Sequence, residues 1–296
     1  MQHHREFIEQ LVARGGPRPD EYAALDEWVR RVYGQFIRGA ISEPEVADLR
    51  KCFGDALSPS TMFGFALRKP HGYAGDFEIM DRAYQQRIAD EPHLAAWDHY
   101  FHQQPAPTGI RNRKAYFHRV LDLHDARRTP IRVLNVASGP GRCMFEWLSK
   151  NPDAAVTFQC IEIDPAAIAY ASELNSAFLD RVTFRRMNAL KFEPVERFDL
   201  IWAAGIFDYF IDAAFQSLAG RLIKSLAPGG ELVIGNLAEG NPSRAHMELL
   251  CDWPLHHRSA QRLVDLARGL GVDSDLIRMG AEAQGVNLFL HINAAK

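Results

Sequence analysis

From Ile131 onward the chain alternates short β-rich runs with amphipathic stretches, and this rhythm restricts its fold more than any other feature. The runs are RVLNVA (132–137), VTFQCIEI (156–163), VTFRRM (182–187), FDLIWAA (198–204), GELVIGN (230–236) and VNLFLHI (286–292). Between them, stretches such as Ile168 to Phe178 and Phe215 to Leu226 repeat apolar residues at helical spacing. Near-continuous apolar strands separated by helices form a parallel sheet covered on both faces. An α/β doubly wound domain is expected over 129–296.

Residues 1–128 read instead as successive helices. Phe7, Ile8, Leu11 and Val12 share a face before Gly15-Gly16-Pro17, and Tyr22, Leu25, Trp28, Val29, Val32 and Phe36 recur at helical spacing before Gly39. Ser42 with Glu45 three residues later is a capping-box pattern that opens a third helix. A glycine-rich loop, HGYAGDF (71–77), precedes helical patterns over Glu78 to Ala89, Pro92 to Gln103 and Ile110 to His124. An all-helical N-terminal region with one conspicuous loop is expected.

Composition narrows the function. Thirty-four Lys and Arg against 37 Asp and Glu give a formal net charge of −3, so no broad basic field exists for a phosphate backbone and nucleic acid is not an expected partner. Cys52, Cys143, Cys160 and Cys251 form no CxxC pair, which speaks against a disulfide framework or zinc-site spacing and for a reducing cytoplasm. The start, MQHHREFIEQLVARGG, holds no apolar run of signal-core length and nowhere do roughly 18 apolar residues run together, so no membrane partner is expected. His93, His99 and His102 fall on one helical stretch but no carboxylate or cysteine completes a ligand set, and no metal is expected.

The chemistry is carried by the turn after the first strand, Val136-Ala137-Ser138-Gly139-Pro140-Gly141-Arg142, which leads into the helical run Cys143 to Lys150. Glycines at a strand-to-helix turn let the backbone approach a ligand, and the helix N-terminus favours negative charge. Glu162 ends the next strand 21 residues after Gly141, the place for an acid that accepts hydrogen bonds from both hydroxyls of a ribose.

With VLNVASGPG, CIEIDP, MNALKF, FDLIWA and LAPGGELVIGN in this order, the sequence resembles the class I S-adenosylmethionine-dependent methyltransferases over Ile131 to Ile292. The resemblance implies a Rossmann-like sheet of seven strands with the last pair antiparallel, and S-adenosylmethionine over the carboxyl ends of the strands. On it, Ala137, Ser138, Gly139 and Gly141 line the methionine and ribose portion, Glu162 holds the ribose, Ile163 packs on the adenine or is a plain core residue, Asn188 and Ala189 flank the adenine edge, and Ala204 and Gly205 face the sulfonium. Two positions depart from the family pattern: Asn135 stands where the family usually has an acid, and Ala137 where it has its first glycine. Neutral Asn135 would hold the cofactor's α-amine less firmly as ammonium than an acid would, or simply substitute for one. More loosely, ALRKPHGYAGDFEIM (66–80) with GIRNRKAYF (109–117) resembles the bacterial group labelled as making an extracellular 3-hydroxy fatty acid methyl ester, which implies carboxylate O-methylation.

If the helical region folds over the sheet's carboxyl edge as a lid, Tyr73 can bring an aromatic face to the sulfonium, an attraction of about 0.5–2 kcal/mol; the bland alternative is a connection with Asp76 as N-cap. One of Arg111 and Arg113 could clamp a carboxylate, or both are surface charges. Asp208 could accept a proton or hold an amine, or cap the next helix. His246, His256 and His257 lie in an insert, Asn241 to Arg258, expected to be rich in loops. The first reading is methyl transfer to a small molecule such as a carboxylate, with S-adenosylhomocysteine released. The alternative is cyclisation of S-adenosylmethionine to azetidine-2-carboxylate with release of methylthioadenosine, which a neutral Asn135 and the aromatic Tyr73 would favour; across the readings Tyr73, Asn135 and Asp208 are the candidate catalytic residues. The third is a non-catalytic binding protein.

Overall fold

The computed structural model describes residues 1–126, 129–193 and 195–295. In chain order it comprises α1 (Gln2–Ala13), α2 (Tyr22–Ile37), α3 (Glu43–Lys51), α4 (Met62–Arg68), α5 (Phe77–Gln85), α6 (Ala95–Gln103) and α7 (Pro105–Asp125). Then follow β1 (Ile131–Val136), α8 (Arg142–Lys150), β2 (Val156–Glu162), α9 (Pro165–Leu174), β3 (Val182–Arg186), β4 (Phe198–Ala203), α10 (Asp212–Lys224) and β5 (Leu226–Leu237). The chain ends with α11 (Arg244–Cys251), α12 (Ala260–Arg268), β6 (Ile277–Ala281) and β7 (Asn287–Asn293). Two compact units result: Met1–Thr108 with Pro242–Pro254, and Gly109–Asn241 with Leu255–Lys296. The division expected between 128 and 129 falls where residue 128 lies outside the described residues.

The first unit is helical, and aromatic side chains build its core. Trp28 meets Phe53 with centroids 5.9 Å apart, Phe53 meets Trp97 at 5.5 Å, and Phe63 stands edge-on to Phe101 at 4.9 Å. The Ser42–Glu45 pattern opens α3, with the Glu45 carboxylate accepting the Ser42 N–H at 2.9 Å and its hydroxyl at 2.7 Å. Asp76 caps α5 by accepting the N–H groups of Glu78 and Ile79, both at 2.9 Å. Two helices lie where the sequence pattern showed none. Thr61 caps the short α4, its Oγ1 accepting the Gly64 N–H at 3.1 Å. The insert expected to be loop-rich contains α11, where Ala245, His246, Met247, Leu249, Leu250 and Cys251 are buried. Eight residues hold too few turns to display a helical period.

The second unit carries a seven-stranded sheet in the order β3-β2-β1-β4-β5-β7-β6. The first five strands run parallel, whereas β7 is antiparallel to both β5 and β6. Alternate residues serve the two faces. Leu134, Ile201, Leu232 and Ile234 pack with Phe215 and Leu218 of α10 and Leu263 of α12, while Val133, Leu200, Trp202 and Val233 pack with Phe117 and Leu121 of α7 and Trp147 of α8. The strand missing from the six sequence runs is β6, a five-residue edge strand with no fully buried position.

A polar cluster interrupts the second of these layers. The Glu231 carboxylate accepts from His124 Nε2 at 3.0 Å and His291 Nδ1 at 2.7 Å and pairs with Arg278 at 3.1 Å, while the Tyr116 hydroxyl meets His291 Nε2 at 2.7 Å. Burial raises the affinity of Glu231 for a proton, but the hydrogen bonds from His124 and His291 outweigh it and hold the carboxyl well below the usual range. A group so depressed contributes stability that is present above its unfolded pKa of about 4.3 and lost as pH falls through its folded value. Glu231→Gln is therefore expected to lower stability by about 2–4 kcal/mol in urea denaturation at pH 7, and the gap between variant and parent should narrow progressively below about pH 4.

Candidate functional site

The site is built from the turn after β1 outward. Ala137, Gly139 and Gly141 take φ values of 54, 55 and 70°, all left-handed. An L side chain in that region costs about 1–2 kcal/mol, so Ala137 stands strained where glycine would be at ease; its N–H donates to the Ile161 carbonyl at 2.8 Å, which holds it there. At Gly141 a Cβ would come within 2.8 Å of Asn175 Nδ2 and 3.1 Å of Ala171 Cβ, so α9 leaves no room for a side chain. At Gly139 a Cβ would meet nothing within 4 Å, because that face of the turn is open. Beside it, the Ser138 hydroxyl is buried without a hydrogen-bond partner among the described residues.

Glu162 closes the turn from the side. Its Oε2 accepts the Gly139 N–H at 3.0 Å, and its Oε1 accepts those of Ile163 at 2.7 Å and Asp164 at 3.2 Å. Each carboxylate oxygen can accept two hydrogen bonds, so Oε2 retains acceptor capacity beside the open face of Gly139. Ile163 follows at the strand end, large, apolar and 57% exposed. At the end of β3, Asn188 Oδ1 accepts the Leu190 N–H at 2.9 Å and Ala189 is buried.

Asn135 and Ala204 define the methionine side of the expected site. Asn135 pairs in register with Trp202 of β4, is nearly buried, and directs its Nδ2 at Met144 Sδ, 3.4 Å away. Ala204 is buried against β5, where a Cβ on Gly235 would lie 2.8 Å from its Cα, and Gly205 is exposed. Arg113 of α7 donates from Nη1 to the Ala204 carbonyl at 2.7 Å. The residues expected to hold a cofactor in the second unit thus share the carboxyl ends of β1, β2, β3 and β4, with the topological switch between β1 and β4.

The other candidates are placed differently. Asp208 does not cap α10, whose N-cap is Ile211. Its carboxylate is buried and Oδ1 accepts the Leu237 N–H at 2.6 Å, fastening the segment after β4 to the end of β5. Tyr73 belongs to the first unit, on the loop between Gly72 and Gly75, with 39% of its surface exposed. His246 is buried in the first unit, 2.7 Å from the Tyr100 hydroxyl and 3.2 Å from Asp26. His257 meets Asn241 at 3.1 Å, and His256 is exposed. Among the described residues no group of three or more His, Cys, Asp or Glu is arranged to hold a metal ion. Sequence reasoning missed Asn175, which is fully buried and donates to the Ala171 carbonyl at 2.8 Å and the Gly141 carbonyl at 3.4 Å. No motif marks it, since its role depends on where α9 packs.

Residues 133–230, a third of the chain, match the family model of a methyltransferase domain. The chain is similar to a candidate exported protein from Bordetella parapertussis, with 20% identity and a TM-score of 0.69 over 94% of this chain and 99% of that one. It is also similar to the pyocyanin biosynthetic protein PhzM, at 18% identity and a TM-score of 0.52 over 82% and 69% of the two chains. A candidate O-methyltransferase from Nostoc punctiforme PCC 73102 gives 14% identity and a TM-score of 0.52 over 81% and 72%. No curated protein sequence matches the chain. The fold is that of the class I methyltransferases, with seven strands and an antiparallel β7. No helix among the described residues is long and apolar enough to cross a membrane.

Two outcomes test this geometry. Gly141→Ala combines a left-handed φ with a contact to Asn175 and should lower stability by about 1–3 kcal/mol in urea denaturation. Burial pushes the Asp208 carboxyl up to about 6 against the lowering effects of the Leu237 N–H and of Arg113 and Arg258. A raised carboxyl contributes stability that is present below its unfolded pKa of about 3.9 and lost as pH rises through the folded value. Asp208→Asn should therefore gain stability relative to the parent as pH rises from 4 to 7, by up to about 2–3 kcal/mol in paired denaturation curves; a constant difference across that range would contradict a raised Asp208.

Proposed function

We propose that the second unit binds S-adenosylmethionine and that the protein transfers its methyl group to the carboxylate of a small molecule, releasing S-adenosylhomocysteine. The observation that carries the reading is Glu162, fastened by three backbone N–H groups beside the open face of Gly139. That arrangement suits the two hydroxyls of a ribose, and the exposed Ile163 suits an adenine laid over it. Ser138 supplies a buried hydroxyl whose oxygen has no hydrogen-bond partner among the described residues. When bound, the cofactor supplies a methyl group on a sulfonium, which an oxygen nucleophile takes by in-line displacement.

A carboxylate is already a nucleophile, so the protein needs to position and desolvate it rather than deprotonate it. This agrees with an Asp208 whose carboxylate is engaged by the Leu237 N–H. The resemblance of residues 66–80 and 109–117 to the ester-forming bacterial group makes 3-hydroxy fatty acids the first acceptors to try. Neutral Asn135 at the end of β1 favours a second reaction of the same cofactor. In it the α-amine attacks the γ-carbon, the carbon–sulfur bond breaks, methylthioadenosine leaves, and the amine loses a proton as azetidine-2-carboxylate forms.

Mass spectrometry of the protein incubated with S-adenosylmethionine, with and without 3-hydroxy fatty acids, separates these. Methyl transfer predicts S-adenosylhomocysteine and a methyl ester only when acceptor is present. Methylthioadenosine and azetidine-2-carboxylate without acceptor would instead establish the cyclisation. In calorimetry, Glu162→Ala should weaken S-adenosylmethionine binding by about 10- to 100-fold; unaltered affinity would overturn the cofactor placement.

A further inference from the structure

A polar cleft of about 280 Å³ opens in the second unit where the amino ends of α10 and α12 meet the segment after β5. Asp212 opens α10, Ser259 is the N-cap of α12 with Arg262 in its first turn, and Glu239 stands just beyond Leu237, the last residue of β5. The Glu239 N–H donates to the Arg258 carbonyl at 3.1 Å, which fixes the turn after β5 against the segment that leads into α12. Every residue lining the cleft is polar or charged.

The charges on its walls do not cancel locally. The buried Arg258 is fully engaged: its Nε donates to Asp212 Oδ1 at 2.9 Å, its Nη1 to Asn236 Oδ1 at 2.8 Å, and its Nη2 to the Phe210 carbonyl. Arg262 donates to the other oxygen of the same carboxylate, from Nε at 3.0 Å and from Nη2. The hydrogen bonds from Arg262 and Arg258 hold the Asp212 carboxyl below the usual carboxylate range, so one anion serves two guanidinium groups and this wall keeps a surplus positive charge. Of the five donors of Arg262, those on Nη1 meet no acceptor among the described residues. The Ser259 hydroxyl accepts the Arg262 N–H at 3.1 Å and keeps its own proton to donate. Across the cleft the exposed Glu239 carboxylate forms no ion pair and accepts no hydrogen bond among the described residues. Opposite charges that line one cleft without pairing are held apart by the backbone that carries them.

We propose that this cleft is a binding site for a small zwitterion, an α-amino acid with a short polar side chain, whose carboxylate is received by Arg262 and Ser259 and whose ammonium is received by Glu239. A simple anion is opposed by Glu239, and a simple amine by the surplus charge at Arg262, so the cleft selects a molecule that carries both signs. Its volume is near the lower end of small-molecule sites, which limits the ligand to a few heavy atoms beyond its charged groups. The site is independent of the cofactor reading, because none of the groups assigned to the nucleoside lines it. In the sheet order β2-β1-β4-β5 its strand lies three spacings from Glu162, roughly 14 Å.

Amide NMR titration of the intact protein, without any nucleoside, tests the assignment with L-serine and its two halves: ethanolamine, which lacks the carboxylate, and 3-hydroxypropionate, which lacks the ammonium. L-serine should shift the amides of residues 239 and 256–262 and bind about 10-fold more tightly than either half. Glu239→Gln should weaken L-serine about 10-fold and leave 3-hydroxypropionate no weaker, whereas Arg262→Met should weaken L-serine and leave ethanolamine no weaker. Melting establishes that each variant is folded; should Arg262→Met fail to fold, Glu239→Gln carries the comparison, since its side chain has no contact among the described residues to lose. If 3-hydroxypropionate or inorganic phosphate binds as tightly as L-serine the cleft is an anion site, and if ethanolamine does it is a cation site; both overturn the proposal. No binding of L-serine, or shifts confined to other residues, overturns it as well, and none of these outcomes bears on the nucleoside site.

Discussion

The tether between Glu162 and the turn after β1 is the interaction on which the candidate site depends. A turn with three left-handed residues is costly in isolation, and Ala137 adds strain that glycine would not. It persists because its ends are held: the Ala137 N–H by the Ile161 carbonyl, the Gly139 N–H by Glu162, and the Gly141 carbonyl by Asn175. These partners come from β2 and from the end of α9, so the turn is shaped by its neighbours as much as by its own glycines. The consequence is a backbone whose outer face at Gly139 is open, with an acid already oriented beside it. A ligand meeting such a surface need not pay for ordering it.

Within the second unit, α7 fixes the elements around that turn. Lys114 pairs with Glu146, His118 faces the Cys143 carbonyl at 2.8 Å, and Asp122 accepts from Trp147 Nε1 at 2.8 Å, so one side of α7 is latched to α8, the helix that the turn opens into. Burial lowers the affinity of His118 for a proton against the raising effect of the Cys143 carbonyl. Another side of the same helix stacks Tyr116 on Phe289 at 3.9 Å and anchors His124 on Glu231. Arg113 and His118 lie on one helix and reach the residue after β4 and the first turn of α8.

Much of this was legible in the sequence where local pattern and tertiary need coincide. The parallel strands announced themselves because both faces are buried, and Glu162 could be placed by its spacing from Gly141. Ala137 was visible as a departure from the pattern that the sequence resembles, and its left-handed φ is the conformation that glycine favours. What stayed hidden depends on packing. β6 is a short edge strand without a buried face, and α11 is too brief to show a period. Asn175 carries no motif, because its value lies in the carbonyl above it. Asp208 could be read as a proton acceptor, an amine holder or the cap of α10, and that its carboxylate instead fastens β5 depended on a partner 29 residues away, the Leu237 N–H.

The segment after β4 shows how far such fastening goes. Its carbonyls are taken by two guanidinium groups: Arg113 on Ala204, and the buried Arg258 on Phe207 and Phe210, with Arg258 also held by Asn236 Oδ1 at 2.8 Å and Asp212 at 2.9 Å. The His256 N–H donates to the Asp208 carbonyl at 2.7 Å. A loop whose backbone acceptors are satisfied from three sides has little reason to rearrange, since each broken contact would leave a buried polar group without a partner. Tyr209 and Ile211, 40% and 62% exposed, project from this fixed segment. The carboxyl edge of the second unit therefore has two preformed walls, the turn beside Glu162 and the loop beside Arg113, and a reaction that depends on alignment rather than on a strong base suits a site of that construction.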